Sequence, residues 1–167
     1  NSQVRAMKDA LSEKQIPAVQ YSDESVFSST ICEDFTLAIE AIASPQSTSA
    51  VRCALATKLF KYRSEGIISL THDSEPLQKW MGRFRNYKLI WLNKGFAASF
   101  HAFMLENQIG QTVMEQLQGD RLTTDLFHLI ELTEQVVRQD KLSPRAAGSW
   151  LREQESFTKN AASPAEP

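Results

Sequence analysis

The sequence predicts an all-α fold of about nine helices, with one short strand near the N-terminus. Apolar residues between 120 and 139 recur at α-helical spacing, as Leu122, Leu126 and Leu129 illustrate. Breaks that contain Pro, Gly and Ser divide the rest of the chain into segments of helical length. Because the 120–139 stretch also carries apolar residues off its main stripe, we predict that it is the central helix, surrounded by the others.

The N-terminal segment combines a helix and a strand. Met7 and Leu11 belong to a helical stripe that must end near Gln15, because Pro17 disfavours helical geometry in the residue before it. Residues 18–21 are then predicted to be a short strand. A single strand has no pairing partner within this sequence, so either it pairs with a sheet outside it or it is an extended connector.

Turn and capping signals separate the remaining helices. Pro45 follows the end of one helix, Pro76 fits the first turn of another, and Ser143 and Pro144 open the last. Residues 160–167 have the polar, Pro-containing composition of a disordered tail. The predicted helices span approximately residues 4–15, 31–44, 48–63, 65–70, 76–94, 96–104, 113–117, 120–139 and 144–157.

Length and composition favour one domain without a strong overall charge. At 167 residues, 42% of them hydrophobic, the chain can bury a core of its own. Its formal net charge of -2 gives no global attraction for nucleic acid or anionic lipid, so such binding requires local patches. No apolar run is long enough to cross a membrane and no export signal is present, so we expect a cytoplasmic protein. The residues expected to be buried together are Trp80, Phe84, Phe100, Phe103, Leu126, Leu129 and Ile130.

Cysteine and histidine positions give no pattern typical of a metal or redox site. Cys32 and Cys53, the only cysteines, fall within predicted helices, where reduced and buried thiols are expected. Asp125, His128 and Glu131 share one flank of the predicted central helix. A carboxylate-bridged metal site would need a second Glu-x-x-His pair, which the sequence lacks. We therefore interpret these three residues as a solvated, charged flank and expect no metal ion.

Motifs for nucleotide chemistry are missing as well. The sequence has no phosphate-binding P-loop, no GxGxxG dinucleotide loop and no GxSxG nucleophile motif. We therefore expect no catalytic residue and no bound cofactor in this chain, and no ATP hydrolysis by it.

Two basic and aromatic clusters hold the candidate functional residues. They could form a nucleic-acid surface, since aromatic rings stack on bases and cations neutralise phosphates. Amphipathic helices have the same composition when the aromatics point inward and the basic chains stay in water. Helical periodicity already accounts for the aromatics, so the second interpretation is favoured. The candidate DNA contacts are Lys58, Lys61 and Arg63, beside Phe60 and Tyr62, and Arg83, Arg85 and Lys88, beside Trp80, Phe84 and Tyr87.

The order of elements resembles the region that follows motif IV in superfamily 1 DNA helicases of the UvrD type. Residues 52–57 (RCALAT) and 121–132 (RLTTDLFHLIEL) narrow this resemblance to the RecB family, the β subunits of exodeoxyribonuclease V. Asn1, Gln3 and Arg5 would be what remains of motif IV. The N-terminal residues that carry the resemblance are Asn1, Gln3, Arg5, 7–11, Ile16, Pro17 and 25–27.

The resemblance implies a helical subdomain inserted between motifs IV and V of a split motor domain. Residues 1–26 would form the edge of the second motor domain, residues 27–159 the inserted subdomain and residues 160–167 its tail. The strand at 18–21 would then pair with the sheet of that motor domain. This chain departs from the UvrD-type pattern in one respect. UvrD-type helicases contact duplex DNA through a Gly-Ile-Gly loop, whereas residues 60–67 of this chain contain a single glycine, Gly66.

The resemblance also implies a function in double-strand break repair and homologous recombination. A RecB-type protein would be a helicase and exonuclease that uses ATP and magnesium, assembles with RecC and RecD and binds double-stranded DNA. Its nucleotide, metal and nuclease sites would lie outside this chain. This chain would then be non-catalytic and would supply structure, partner contacts and guidance for the duplex.

The alternative is a free-standing helical scaffold or adaptor that binds another protein. The two interpretations differ in the sequence context that they require. The helicase interpretation needs motifs I to III before this sequence and motifs V and VI after it, whereas the scaffold interpretation needs neither.

Overall fold

The computed structural model describes residues 26–62, 64–70 and 74–162, except the side chains of residues 161 and 162. In these ranges the regular elements are all α-helices, which confirms the all-α prediction. The eight helices are α1 (Thr30–Ala43), α2 (Thr48–Leu55), α3 (Ser64–Ser69), α4 (Glu75–Lys94), α5 (Phe96–Glu106), α6 (Ile109–Met114), α7 (Gly119–Asp140) and α8 (Pro144–Ala162).

Some predicted features fall outside the described residues. They include the helix at 4–15, the strand at 18–21 and residues 163–167 of the predicted tail. Helix α8 continues through residue 160, where the tail was predicted to begin, and ends at Ala162.

Local side chains cap the starts of two helices. At the start of α2, the Ser47 hydroxyl accepts a hydrogen bond from the Ala50 amide at 3.2 Å. At the start of α4, the Ser74 hydroxyl accepts one from the Leu77 amide at 3.4 Å, with Pro76 in the first turn. These caps satisfy amide groups that have no partner within the helix.

Helix α2 ends earlier than predicted, at Leu55. The Thr57 hydroxyl donates a hydrogen bond to the Ala54 carbonyl at 2.7 Å and accepts one from the Leu59 amide at 3.3 Å. Such local hydrogen bonds compete with those of a continuing helix. Residues 56–62 consequently form a loop, which lies beside the candidate site described below.

The central helix is α1, not the helix at 120–139. Helix α1 packs against α2, α4, α7 and α8. It buries Phe35 and Ile39 as well as the small Ala38 and Ala41, which allow close approach of its neighbours. Helix α7 buries one face only, and its Phe127 is 56% exposed. The prediction of a central α7 was wrong because apolar residues off the main stripe can face solvent.

Helices α4 and α5 form an antiparallel pair that supplies the aromatic part of the core. The chain reverses at Gly95, where a φ of 93° favours glycine. The Tyr87 ring packs edge-on against Phe103, with ring centroids 5.5 Å apart, and its hydroxyl donates to the Glu106 carboxylate at 2.7 Å. Of the residues predicted to be buried together, Phe84, Phe100, Phe103, Leu126 and Leu129 are buried, whereas Trp80 and Ile130 are partly buried.

A buried polar network joins α1 to α8. The Glu155 carboxylate accepts a hydrogen bond from the Thr36 hydroxyl at 2.5 Å. Arg152 donates to both oxygens of Glu40, at 2.7 and 2.8 Å, and one of its terminal nitrogens lies 3.5 Å from Glu155. Because these groups are buried or half-buried, each charge has its partner within the protein.

The two cysteines differ in environment. Cys32 is buried beside Glu155, and burial together with that carboxylate raises the pKa of its thiol to about 12. The thiol therefore stays protonated at neutral pH. Cys53 is exposed, so the prediction that both thiols are buried was wrong for this residue. It lies on the solvent side of α2, whose buried residues are Val51, Ala54 and Leu55.

Asp125 on α7 is a buried carboxylate rather than part of a solvated flank. It is 4% exposed, and the Arg121 guanidinium lies 4.0 Å from one of its oxygens. Burial raises the pKa of Asp125, while the charges of Arg121 and His128 oppose that change. Ionisation of this carboxyl group is therefore less favourable in the folded protein than in water.

Truncating Phe35 should destabilise the protein strongly, because its ring is fully buried on the central helix. We expect Phe35→Ala to lower the free energy of unfolding by about 3 to 5 kcal/mol and Leu129→Ala by about 2 to 5 kcal/mol. Phe157→Ala is the matched control, since that ring is 69% exposed, and should change it by less than about 0.5 kcal/mol. Urea unfolding measures all three, and equal midpoints for the two Phe variants would contradict the central position of α1.

Replacing Asp125 by Asn should stabilise the protein at neutral pH and have less effect in acid. The pKa of Asp125 is higher in the folded state than in the unfolded chain, so stability falls as the pH rises through the folded pKa. Asn carries no proton to lose and removes this dependence. Melting temperatures of wild type and Asp125→Asn between about pH 3 and pH 7 test this pH dependence, with Glu131→Gln at an exposed position of the same helix as the control. A gain independent of pH, or a loss at neutral pH, would argue against this effect of burial.

Candidate nucleic-acid interface

A cleft on one side of the molecule brings together part of the two basic clusters. It has two adjoining parts, of about 300 and 470 Å³, and both are lined by Phe60, Lys61, Tyr62 and Thr112. We call this combined surface the Lys61 cleft. Its other lining residues are Ala56, Thr57, Lys58, Trp80, Arg83, Glu106, Asn107, Gln108, Glu115 and Gln116.

The loop of residues 56–62 is held in place at both ends of the cleft. The side-chain amide of Gln116 donates to the Lys58 carbonyl at 2.6 Å, and the Lys58 amide lies 3.3 Å from a carboxylate oxygen of Asp34. At the other end, the Trp80 indole donates to the Tyr62 hydroxyl at 2.8 Å. Burial raises the pKa of Asp34, whereas the hydrogen bond from the Lys58 amide and the positive charge of the Lys58 side chain oppose that rise.

Two of the three cations of the Lys61 cleft, Lys61 and Arg83, already have partners. The Lys61 ammonium lies 2.7 Å from a carboxylate oxygen of Glu115, with both side chains about half exposed. The hydrogen bond from Lys61 lowers the pKa of Glu115. The Arg83 guanidinium lies 4.4 Å from the centre of the Trp80 ring and 3.5 Å from the Glu106 carbonyl. A phosphate group would therefore compete with these contacts for the two cations.

The aromatic residues of the clusters pack inward. Phe60, Phe84 and Tyr87 are buried, and Trp80 and Tyr62 are half-buried. The Trp80 ring packs edge-on against Phe60, with ring centroids 5.4 Å apart. The amphipathic interpretation of the aromatics is confirmed, because core packing occupies rings that would otherwise stack on bases.

The structure separates the basic residues predicted to contact DNA. Lys58, Lys61 and Arg83 line the Lys61 cleft, whereas Arg85 is exposed elsewhere on α4. Lys88 donates to the Ala43 carbonyl at 2.8 Å, where it caps the C-terminal end of α1. Arg63 and the motif IV residues Asn1, Gln3 and Arg5 lie outside the described residues. DNA binding by the cations stays a prediction.

Sequence reasoning missed several residues that shape the surface. Glu115 and Gln116 position or neutralise the cleft residues, and Arg145 lines a second cleft with Lys88. Each belongs to a different helix or turn from its partner. Local spacing gives no signal for such pairs, which only the packing of the helices creates.

The described residues contain no group of His, Cys, Asp and Glu side chains that could hold a metal ion. Within the Asp125, His128 and Glu131 set, Asp125 is buried and Glu131 is exposed, so the three do not face a common point in solvent. Among the helices in the part of the chain that is described, none has the length and hydropathy needed to span a membrane.

Comparison with known proteins gives a consistent relationship. No protein-family model matches the chain. The RecBCD enzyme subunit RecB of Mycobacterium tuberculosis is 32% identical over 151 residues, which make up 90% of this chain and 13% of that protein. The RecB subunit of Mycolicibacterium smegmatis is 33% identical over 91% of this chain and 14% of its own length. For Escherichia coli RecB, the identity is 27% over 87% of this chain and 12% of that protein.

The similarity thus covers most of this chain but only about one-eighth of the curated relatives that it matches. It agrees with the resemblance carried by residues 52–57 and 121–132. The chain is a RecB-like segment.

Proposed function

We propose that this chain is a non-catalytic helical segment of a RecB-type subunit in a helicase and exonuclease that repairs DNA double-strand breaks and acts in homologous recombination. The observation that carries the proposal is the similarity to RecB subunits of the RecBCD enzyme over about nine-tenths of this chain. ATP, magnesium and nuclease chemistry would be supplied by other parts of such a subunit, and RecC and RecD would be its partners.

The helical body supports a structural role for this segment. Its core extends through α1, α2, α4, α5, α7 and α8, so the described residues form a packed unit. A domain of this size can bury a core without help from a neighbour. Such a unit suits a helical insertion in a motor domain, where it would add contact surface without taking part in ATP hydrolysis.

The Lys61 cleft is the surface that we propose for contact with duplex DNA. Lys58, Lys61 and Arg83 line it, and Glu106 and Glu115 reduce its positive charge. Phosphate contacts made there would not depend on base sequence. Since Lys61 must leave Glu115 to meet a phosphate and the net charge is -2, binding by this chain alone should be weak and sensitive to salt.

The test is titration of a fluorescently labelled duplex with the full 167-residue chain at several salt concentrations. The triple variant Lys58→Gln/Lys61→Gln/Arg83→Gln should bind more weakly than wild type. The slope of log affinity against log salt should fall by about one for each substituted cation that contacts a phosphate. Lys88 is left unchanged because it caps α1.

The matched control removes the same charge from exposed positions outside the cleft, as Lys94→Gln/Lys141→Gln/Lys159→Gln. This control should keep the wild-type slope. Equal weakening by both triple variants would show an effect of net charge and exclude the cleft as the DNA surface. Absence of duplex binding even at low salt would exclude DNA contact by this chain and favour the helical scaffold alternative.

A further inference from the structure

A groove between α5 and α7 is an apolar depression that is larger than either part of the Lys61 cleft. Its volume is about 670 Å³, and it lies apart from the Lys61 cleft, with which it shares no lining residue. We call it the α5–α7 groove. Its lining residues are Ala97, Phe100, His101, Met104, Leu105, Gly110, Phe127, Ile130, Glu131 and Glu134.

The groove combines a fixed floor with exposed apolar walls. Phe100 is 1% exposed and belongs to the core, so it cannot move without repacking. Leu105 is 69% exposed and Phe127 is 56% exposed, one on each helix. Covering both side chains would remove their apolar surface from water, which favours binding of an apolar partner surface.

The charge of the groove limits what can cover it. Its charged lining residues, Glu131 and Glu134, are both acidic and both lie on α7. Glu134 pairs with Arg138 at 2.8 Å, and Glu131 is exposed. Neither lysine nor arginine lines the groove, so it would repel DNA phosphates and favour an apolar surface that carries positive charge beside α7.

The shape of the groove favours a helix as the occupant. Its walls run from Ala97 to Leu105 on α5 and from Phe127 to Glu134 on α7, about 12 Å or two helical turns. Both walls are helices, whose backbone groups are bonded internally, so an added strand would find no sheet edge. An amphipathic helix can instead lay an apolar stripe along the floor.

We propose that the α5–α7 groove binds an amphipathic α-helix of a partner protein, with Lys or Arg on the side of that helix that faces Glu131 and Glu134. This inference rests on the proposed function, because it gives the chemistry of a partner contact made by a subunit segment. Apolar side chains at positions i, i+3 or i+4, and i+7 of the partner helix cover Leu105 and Phe127.

The experiment uses two synthetic helical peptides with the same leucine stripe, one flanked by Lys and one by Glu. Binding to the full chain is followed by NMR of ¹³C-labelled methionine methyl groups. Met104 lines the groove, so its signal should shift as the Lys peptide is added. Met81, on the buried face of α4, is 8% exposed and should not respond. The Glu peptide should bind about tenfold more weakly, because like charges meet at the α7 side.

Matched variants locate the binding. Leu105→Ser/Phe127→Ser should weaken binding of the Lys peptide about tenfold or more, and the fold should persist because both side chains are mostly exposed. Leu92→Ser/Phe157→Ser makes the same chemical change at residues 60% and 69% exposed outside the groove, and should bind as wild type does. Glu131→Lys should reduce the preference for the Lys peptide over the Glu peptide.

Three outcomes would overturn the inference. The first is equal affinity for the two peptides, and the second is an equal loss of affinity in the groove variant and the control variant. The third is a Met104 shift that follows protein concentration without peptide, which would indicate a second copy of this chain in the groove. Duplex titration distinguishes this failure from failure of the proposed function. The groove variant should bind duplex DNA as wild type does, because the groove and the Lys61 cleft share no residue.

Discussion

Enclosure of α1 is the constraint on which the rest of the structure depends. Four helices pack around it, so its polar groups must find partners within the protein. Thr36 bonds to the Cys32 carbonyl at 2.9 Å and to Glu155 of α8, and the Ala43 carbonyl accepts from Lys88 of α4. These bonds tie α8 to the middle of α1 and α4 to its C-terminal end. They also give Lys88, although it is basic, a role in holding the fold.

Periodicity and capping residues predict which segments are helical but not how completely each helix is covered. Ser47, Ser74 and Pro76 begin helices as their chemistry requires. The choice of α7 over α1 as the central helix failed because a hydrophobic stripe reports only which face is apolar. Enclosure depends on small residues such as Ala38, which let neighbouring helices approach. The exposure of Cys53 could not be predicted from periodicity for the same reason, since it depends on neighbours distant in sequence.

The candidate site was predictable in composition but not in geometry. The clusters pointed to Lys61 and Arg83, which the fold does bring into one cleft. The neutralisation of Lys61 by Glu115 depends on a contact between a loop and the end of α6, which are distant in sequence, whereas Arg83 stacks on Trp80 of its own helix. The α5–α7 groove is harder still to foresee, because it depends on how two helices that are separate in sequence pack together. Only their packing leaves Leu105 and Phe127 uncovered on the two sides of one depression.

The two surfaces differ in the partners that they can accept, and each is suited to weak binding. Phosphate binding in the Lys61 cleft would replace the Lys61–Glu115 ion pair, and the α5–α7 groove is only about two helical turns long. In a RecB-type subunit, however, this segment would be covalently joined to a much larger protein, since it matches 12 to 14% of its relatives. Covalent linkage raises the effective concentration of each contact, so weak contacts suffice once other parts of the complex are bound. Weak binding by the isolated chain is therefore compatible with the proposed contacts to duplex DNA and to a partner helix.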